Sequence, residues 1–259
     1  MNKKLIALAL LPVLFVPISL VQSPDDPAPV EPVAVAPAQK PVAPPPPPPA
    51  EPVIITPIAV IVEPESEQVY DLSGVPRLCL QYKRRIIRES RNVWGLDGFP
   101  ATFAAQIQQE SACKPDAVSR VGAQGLAQFM PSTAEWFGNE IMKEEPAPLD
   151  PDWAIRAMVQ YNRFLWVRVN AADTCNRAAK MLSAYNGGLG WIKRDEKLAT
   201  SKGLDKDLWF GNVETVNSGR SAANFKENRG YPRRIMLKIE PSYVRAGYGE
   251  GAGRGTCGD

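Results

Sequence analysis

The chain has 259 residues, with 30 Lys and Arg against 28 Asp and Glu for a formal charge of +2, and it contains no histidine. The missing imidazole excludes a Ser-His-Asp or Cys-His catalytic pair, a His-containing zinc site and a side-chain pH switch near neutrality, so acid or base chemistry falls to carboxylates, Lys, Tyr or Cys. So small a net charge gives no ground for a nucleic-acid partner, although the part from residue 66 onward holds 27 basic and 22 acidic residues, a mild bias towards anionic polymers or surfaces.

In chain order, Met1-Asn2-Lys3-Lys4 followed by the apolar stretch Leu5 to Val21 has the charged and hydrophobic regions of an export signal. Two readings of residues 1–23 stand. One is a cleaved signal peptide, for which Ser23-Pro24 makes a poor cleavage site. The other is an uncleaved inner-membrane anchor, for which an apolar stretch broken by Pro12 and Pro17 is short. Both carry the rest of the chain out of the cytoplasm and leave Lys3 and Lys4 inside. Residues 24–66 form a linker. Positions 24 to 64 hold 15 of the 26 prolines and no glycine, a composition that forbids helix or sheet ladders. It predicts an extended polyproline II spacer spanning on the order of 100 Å.

Residues 70–259 have the size of a single domain and read as mainly α. Leu78, Tyr82 and Ile86 recur at helical spacing. Pro100 opens a second helix carrying Phe103, Ile107 and Glu110 on one face, closed by Lys114-Pro115. Another starts at Pro131. Asp150-Pro151 supplies an N-cap and first-turn proline for a longer helix with Ala154, Met158, Tyr161 and Leu165 inward. Asn176 to Tyr185 follows, with Ala178, Met181, Leu182 and Tyr185 on one face and Asn186-Gly187-Gly188 as its stop. A last helix is expected from Pro232 to Ile239. No strand-like alternation and no internal repeat is present.

Cys79, Cys113, Cys175 and Cys257 make an even count in an exported chain. They predict two disulfides, with three connectivities open, against the alternative of buried free thiols. No Cys-x-x-Cys pair points to a metal.

Glu110 is the most informative position. At the end of an apolar helix face, an ionised carboxylate loses solvation and its pKa rises, giving an acid able to protonate a leaving oxygen near neutral pH. Periodicity alone equally allows a helix-end Glu paired with an Arg. The surrounding strings point further. Gln109-Glu110-Ser111-Ala112-Cys113-Lys114-Pro115-Asp116-Ala117-Val118-Ser119 and Gly122-Ala123-Gln124-Gly125-Leu126-Ala127-Gln128-Phe129-Met130-Pro131-Ser132-Thr133-Ala134 resemble the first signature of the soluble lytic transglycosylases. Asp150-Pro151 with Ala154-Ile155-Arg156-Ala157 resembles that family's next helix. Ser183-Ala184-Tyr185-Asn186-Gly187-Gly188 is similar to its Ala-Tyr-Asn-Gly element, and Glu227 with Tyr231 and Ile235 to its final Glu-x-x-x-Tyr helix. The four elements stand in the family's order over about 130 residues.

The resemblance implies a goose-lysozyme-like fold and cleavage of the MurNAc-β-1,4-GlcNAc bond of peptidoglycan glycan strands. It implies a single general acid/base, Glu110, which protonates the glycosidic oxygen while the substrate's 2-acetamido group stabilises the positive centre. Glu110 then takes the proton of the muramic acid 6-hydroxyl, giving a 1,6-anhydro end, an exception to the two-carboxylate scheme. No metal and no cofactor are implied. Tyr185 matches a position that hydrogen-bonds the acid. Ser111, Gln128, Met130 and Asn186 match positions along the sugar groove, and Gly125 the turn that delivers Gln128. The bland alternatives are helix capping for Ser111 and Asn186 and core packing for Met130 and Tyr185.

Glu227 and Tyr231 match groove positions, although Pro232 argues against one continuous helix carrying both. Ala127 and Cys113 depart from the family pattern, which has Met and more often an aromatic residue there. The stretch 190–224, with Trp191, Trp209 and Phe210 among charges, aligns with nothing in the family and is expected as a flap beside the groove or a solvated insertion.

A hydrolytic muramidase and a non-catalytic wall-binding protein on the same fold are the competing readings. The expected location is the bacterial periplasm or envelope, with the inner membrane as partner if residues 1–23 remain, and a monomer is expected. The runs Ser221-Ala222-Ala223-Asn224-Phe225 and Glu227-Asn228-Arg229-Gly230-Tyr231-Pro232-Arg233-Arg234 resemble phage-encoded, endolysin-like members.

Overall fold

The computed structural model describes residues 69–253. The expected export segment (1–23), the proline-rich linker (24–66) and Cys257 lie outside them. The described part is helical, with isolated antiparallel bridges from Gln124 to Val118 and Phe129 in place of any strand. Among the described residues no helix is long and apolar enough to cross a membrane.

The first expected helix is two. α1 (Arg77–Leu80) is a single turn, and α2 (Lys83–Trp94) starts afresh after Gln81-Tyr82. Leu78 is 52% exposed, whereas its neighbour Cys79 is buried and bonded to Cys113, so the disulfide sets the inward face of α1 in place of the leucine. In α2, Ile86, Ser90 and Trp94 recur every four residues and are buried.

α3 (Pro100–Ser111) has Pro100 in its first turn, where a missing N–H costs nothing, and Ala101 to Ile107 are all buried. Small residues at 101, 104 and 105 let other elements approach from every side: α2, a later helix α9 (Glu240–Arg245), and the π-helical turns Arg234–Ile239 that precede it. α3 stops at Ser111, earlier than Lys114-Pro115 suggests. Ala112 and Cys113 both take left-handed backbone, φ 51° and 64°, and the disulfide holds the second.

α4 (Pro131–Trp136) runs into π-helical turns over Phe137–Met142. α5 (Pro151–Trp166) is capped as its sequence predicts: the Asp150 carboxylate accepts from the Trp153 N–H at 2.7 Å, and Ala154, Met158 and Leu165 are buried. α6 (Thr174–Gly187) opens on Asp173, which accepts from the Asn176 N–H, and stops at Gly188 with φ 93°.

α7 (Leu189–Ser201) begins the stretch that the sequence leaves as flap or solvated insertion, and a solvated insertion it is not. Trp209 and Val213 are completely buried, and the charges around them pair with one another. Asp195 takes Arg220 and Arg229 at 2.5 and 2.7 Å, and Arg233 holds Glu214. α8 (Ala222–Arg233) packs on α6 and is capped by the Ser221 hydroxyl, which accepts from the Asn224 N–H. It starts ten residues before the expected Pro232 and carries Glu227 and Tyr231 on one unbroken helix. The proline falls in its last turn, where the chain widens into the π-helical segment, so the interrupted ladder is taken up by longer-range backbone bonds.

Candidate active site

Glu110 sits one residue from the end of α3 and is half-buried, so it is reachable from outside while its carboxyl packs against the protein. Its Oε1 accepts a hydrogen bond from the Tyr231 hydroxyl on α8. Its pKa is pushed from 4.5 up to about 8, mainly by burial, with the Tyr231 hydrogen bond opposing the rise and the charge of Glu227 adding to it. Loss of hydration holds the Tyr231 and Tyr185 phenols well above their usual range, with the Glu110 charge adding to each. Both remain hydroxyls, and thus donors, throughout the physiological range.

Behind the acid lies a polar layer that the sequence reasoning missed. Gln106 is one helical turn before Glu110 and wholly buried, and its Oε1 accepts from the buried Asn162 amide of α5 at 2.7 Å. Its Nε2 completes no well-formed hydrogen bond, yet it lies near enough to the Tyr231 hydroxyl to favour ionisation slightly. The available signal was the i to i+4 spacing from Gln106 to Glu110, two polar residues on an otherwise apolar face.

The structure gives the hydrogen bond to Glu110, expected of Tyr185, to Tyr231. Tyr185 donates to the Ala127 carbonyl at 2.8 Å, while Tyr231 donates to Glu110. Tyr185 thereby fixes the loop between α3 and α4, its ring edge-on to Phe129. Ser111 and Gln128 serve the same loop. The Ser111 hydroxyl is buried against the Leu126 carbonyl at 2.9 Å, and the Gln128 amide donates to the Ala117 and Gly125 carbonyls at 3.1 and 2.9 Å. Their donor groups therefore hold backbone, where the sequence reading has them facing sugar. Gly125 is indispensable here: its φ is +75°, and a Cβ would stand 1.7 Å from the Pro148 carbonyl oxygen. Met130, 41% exposed, follows this loop.

Asn186 and Glu227 lie together, their side chains 3.5 Å apart. They line a cavity of about 350 Å³ with Gly187, Trp191, Arg220 and Asn224. Asn228, which sequence reasoning did not single out, braces this wall. Its amide donates to the Ser183 carbonyl at 2.8 Å and the Asn186 side chain at 3.0 Å, and its Oδ1 accepts from the Ser183 hydroxyl at 2.7 Å. A larger cavity of about 650 Å³, lined by Trp94, Phe99, Arg163, Trp166 and Cys175, contains none of these residues, so size does not locate the chemistry. No group of three Cys, Asp or Glu placed to hold a metal occurs among the described residues.

Of the four cysteines, Cys79 pairs with Cys113 and ties α1 to the end of the Glu110 helix. Cys175 is also disulfide-bonded.

Comparison with known proteins finds similarity over the segment that holds Glu110. The transglycosylase SLT domain model matches residues 92–208. The membrane-bound lytic murein transglycosylase F of Maricaulis maris is 33% identical over 170 residues, which are 63% of this chain and 36% of that protein. Its counterpart from Shewanella frigidimarina is 28% identical over 135 residues, 51% of this chain and 27% of that one. The chain thus spans about a third of the length of these relatives. Among solved structures, an inactive mutant of the lytic transglycosylase Slt from Pseudomonas aeruginosa aligns with a TM-score of 0.51 at 22% identity, covering 68% of this chain and 26% of the other, a likeness of fold. The matched segment contains Glu110 but stops short of Tyr231, so the acid and its hydrogen-bond partner come from different parts of the sequence. Residues 92–208 are thus similar to a transglycosylase SLT domain, the same family that the motifs around Glu110 resemble.

Proposed function

We propose that this protein is a peptidoglycan lytic transglycosylase in which Glu110 acts alone as acid and then as base. The observation that carries the reading is a half-buried carboxyl titrating at about 8, with a tyrosine hydroxyl aimed at one of its two oxygens. Because Tyr231 donates to Oε1, that oxygen is the acceptor and the carboxyl proton rides on Oε2, free to be given to the glycosidic oxygen of a bound strand. As the bond breaks, Glu110 becomes a carboxylate, and the Tyr231 hydrogen bond strengthens when its acceptor gains charge. The carboxylate then takes a proton from the muramic acid 6-hydroxyl, which closes onto the anomeric carbon and leaves a 1,6-anhydro end. The substrate's 2-acetamido group stabilises the intermediate positive charge in this scheme, so no second carboxylate is required of the protein.

Asn186, Glu227 and Met130 border the strand, whereas Ser111, Gln128 and Tyr185 act through the loop they hold. The envelope is the place of action, in keeping with the membrane-bound murein transglycosylases that resemble this chain. Mass spectrometry of sacculi digested with the full chain tests the scheme. Anhydro-muropeptides are expected, and reducing ends alone would replace the 6-hydroxyl by water and make the enzyme a muramidase. Undiminished cleavage by Glu110→Gln would remove Glu110 from the reaction and, with it, the scheme.

A further inference from the structure

At least three of the five N–H donors of Arg220 have no acceptor. It is 8% exposed, its Nη1 donates to Asp195 at 2.5 Å, and its guanidinium lies against the Trp191 ring at 4.9 Å. Nε and Nη2, which form one edge of the planar group, have no partner. Two parallel N–H groups on that edge match the two oxygens of a carboxylate, and leaving them buried and unpaired is costly.

The surroundings favour an anion. Asp195 is shared between Arg220 and Arg229, so this buried group carries a surplus positive charge, while Glu214 is occupied by Arg233. Ser221 and Asn224 bring the N-terminus of the twelve-residue α8 to the same cavity, and the positive end of the helix dipole adds to the potential there. The one opposing charge lining the cavity is Glu227, on its exposed side beside Asn186. Gly187 permits the approach: a Cβ there would stand 2.6 Å from Asn228 Nδ2 and 3.8 Å from Arg220 Nε. The free edge is covered in this structure, so entry displaces a wall. Trp191 is the wall suited to move, being half-buried next to Gly190, which has open space around it.

We propose that this cavity binds a carboxylate carried by the glycan strand, held by the Nε and Nη2 fork of Arg220. The inference rests on the transglycosylase reading, since the cavity shares Asn186 and Glu227 with the site around Glu110. A flat two-oxygen anion fits the fork, and peptidoglycan offers it in two places: the lactyl carboxylate of muramic acid on strands stripped of peptide, and the free carboxylates of stem peptides.

The test compares kcat/KM of the intact protein on four substrates: peptide-stripped strands and stem-bearing strands, each with its carboxylates left free or converted to neutral amides. Amidation is expected to lower kcat/KM about ten-fold, mainly through KM, on whichever class supplies the anion, as loss of a charge-assisted pair would. An effect confined to stripped strands assigns the lactyl group, and one confined to stem-bearing strands assigns the peptide. Arg220→Lys keeps a cation for Asp195 but loses the fork, and is expected to erase the difference between free and amidated strands. Cleavage by the unaltered protein that is indifferent to amidation in both classes would overturn the proposal and leave the transglycosylase reading intact, whereas cleavage of none of the four would overturn both.

Discussion

Replacing Glu110 by glutamine should stabilise the protein near neutral pH, the opposite of what removing a helix-end ion pair does. The carboxyl titrates at about 8 in the fold against an ordinary value of 4.5, because burial strips water from its charged form. The folded state therefore holds the proton more tightly than the unfolded chain. This contribution is fully present below pH 4.5 and is lost as the pH rises towards 8. Each pKa unit corresponds to about 1.4 kcal/mol, so the loss at pH 7 is about 3 kcal/mol and levels off near 5 kcal/mol above pH 8. Glutamine retains an oxygen for the Tyr231 hydroxyl and has no proton to lose, so it escapes the penalty. Urea denaturation of both proteins between pH 4.5 and 8.5 reads this directly. The stability gap should be close to zero at the acid end and reach about 3 kcal/mol at pH 7. Curves that stay parallel across this range would show that Glu110 titrates as an ordinary surface carboxylate, and the acid-catalysis argument would fail with them.

The same pKa sets the basic limb of activity: kcat/KM should fall as pH rises through about 8, because the first step needs the protonated acid. Tyr231→Phe should move that limb to higher pH, since the hydroxyl lowers the Glu110 pKa, and should cost roughly ten- to hundred-fold in kcat by withdrawing a hydrogen bond from the carboxylate. An unmoved limb would place Tyr231 outside the chemistry. Gly125→Ala forces a side chain into the Pro148 carbonyl at a φ of +75° and should destabilise by about 3 kcal/mol or more, read as a lowered denaturation midpoint. Removing the Cys79–Cys113 disulfide by a double Ser substitution opens a loop with a sequence separation of 34, for which chain entropy gives a loss of about 4 kcal/mol.

Local chemistry made part of this molecule legible from its sequence. Pro100 at the start of α3, the Asp150 cap of α5 and the apolar faces of α5 and α6 are decided within a turn or two of chain, and the structure has them where the sequence puts them. The choice between Tyr185 and Tyr231 as the partner of Glu110 is of another kind. Both phenols come from helices near Glu110, and which one reaches the carboxylate depends on how α8 lies against α3, a contact across 121 residues with no local sign. Pro232 misled for a related reason. The rule that proline ends a helix is local, but α8 is fixed by its packing on α6 and by Asn228, and the chain takes up the missing bond in the π-helical turns beyond. In 190–224 the charges that suggested a solvated insertion are internal counter-ions, so composition pointed away from a core that contains Trp209.

The unfavourable local features of the fold gather around one segment, and they explain why so much structure is spent on it. Glu110 has a carboxylate that the fold disfavours, and Ala112, Cys113 and Gln128 all hold left-handed backbone without being glycine. A chain left to itself would relax each of these. Opposing that relaxation are the Cys79 disulfide at one end, the close approach of Gly125 to Pro148 in the middle, and the Tyr185, Ser111 and Gln128 hydrogen bonds to the backbone of the loop. Cys79, Tyr185 and Pro148 come from α1, α6 and the segment before α5, so the position of Glu110 is determined by distant parts of the domain as well as by α3 and its loop. A carboxyl acting alone, as proposed for Glu110, gains from such fixing: with no second carboxylate to share the work, its pKa and its aim must both be set in advance, and flexibility in the loop after α3 would blur both.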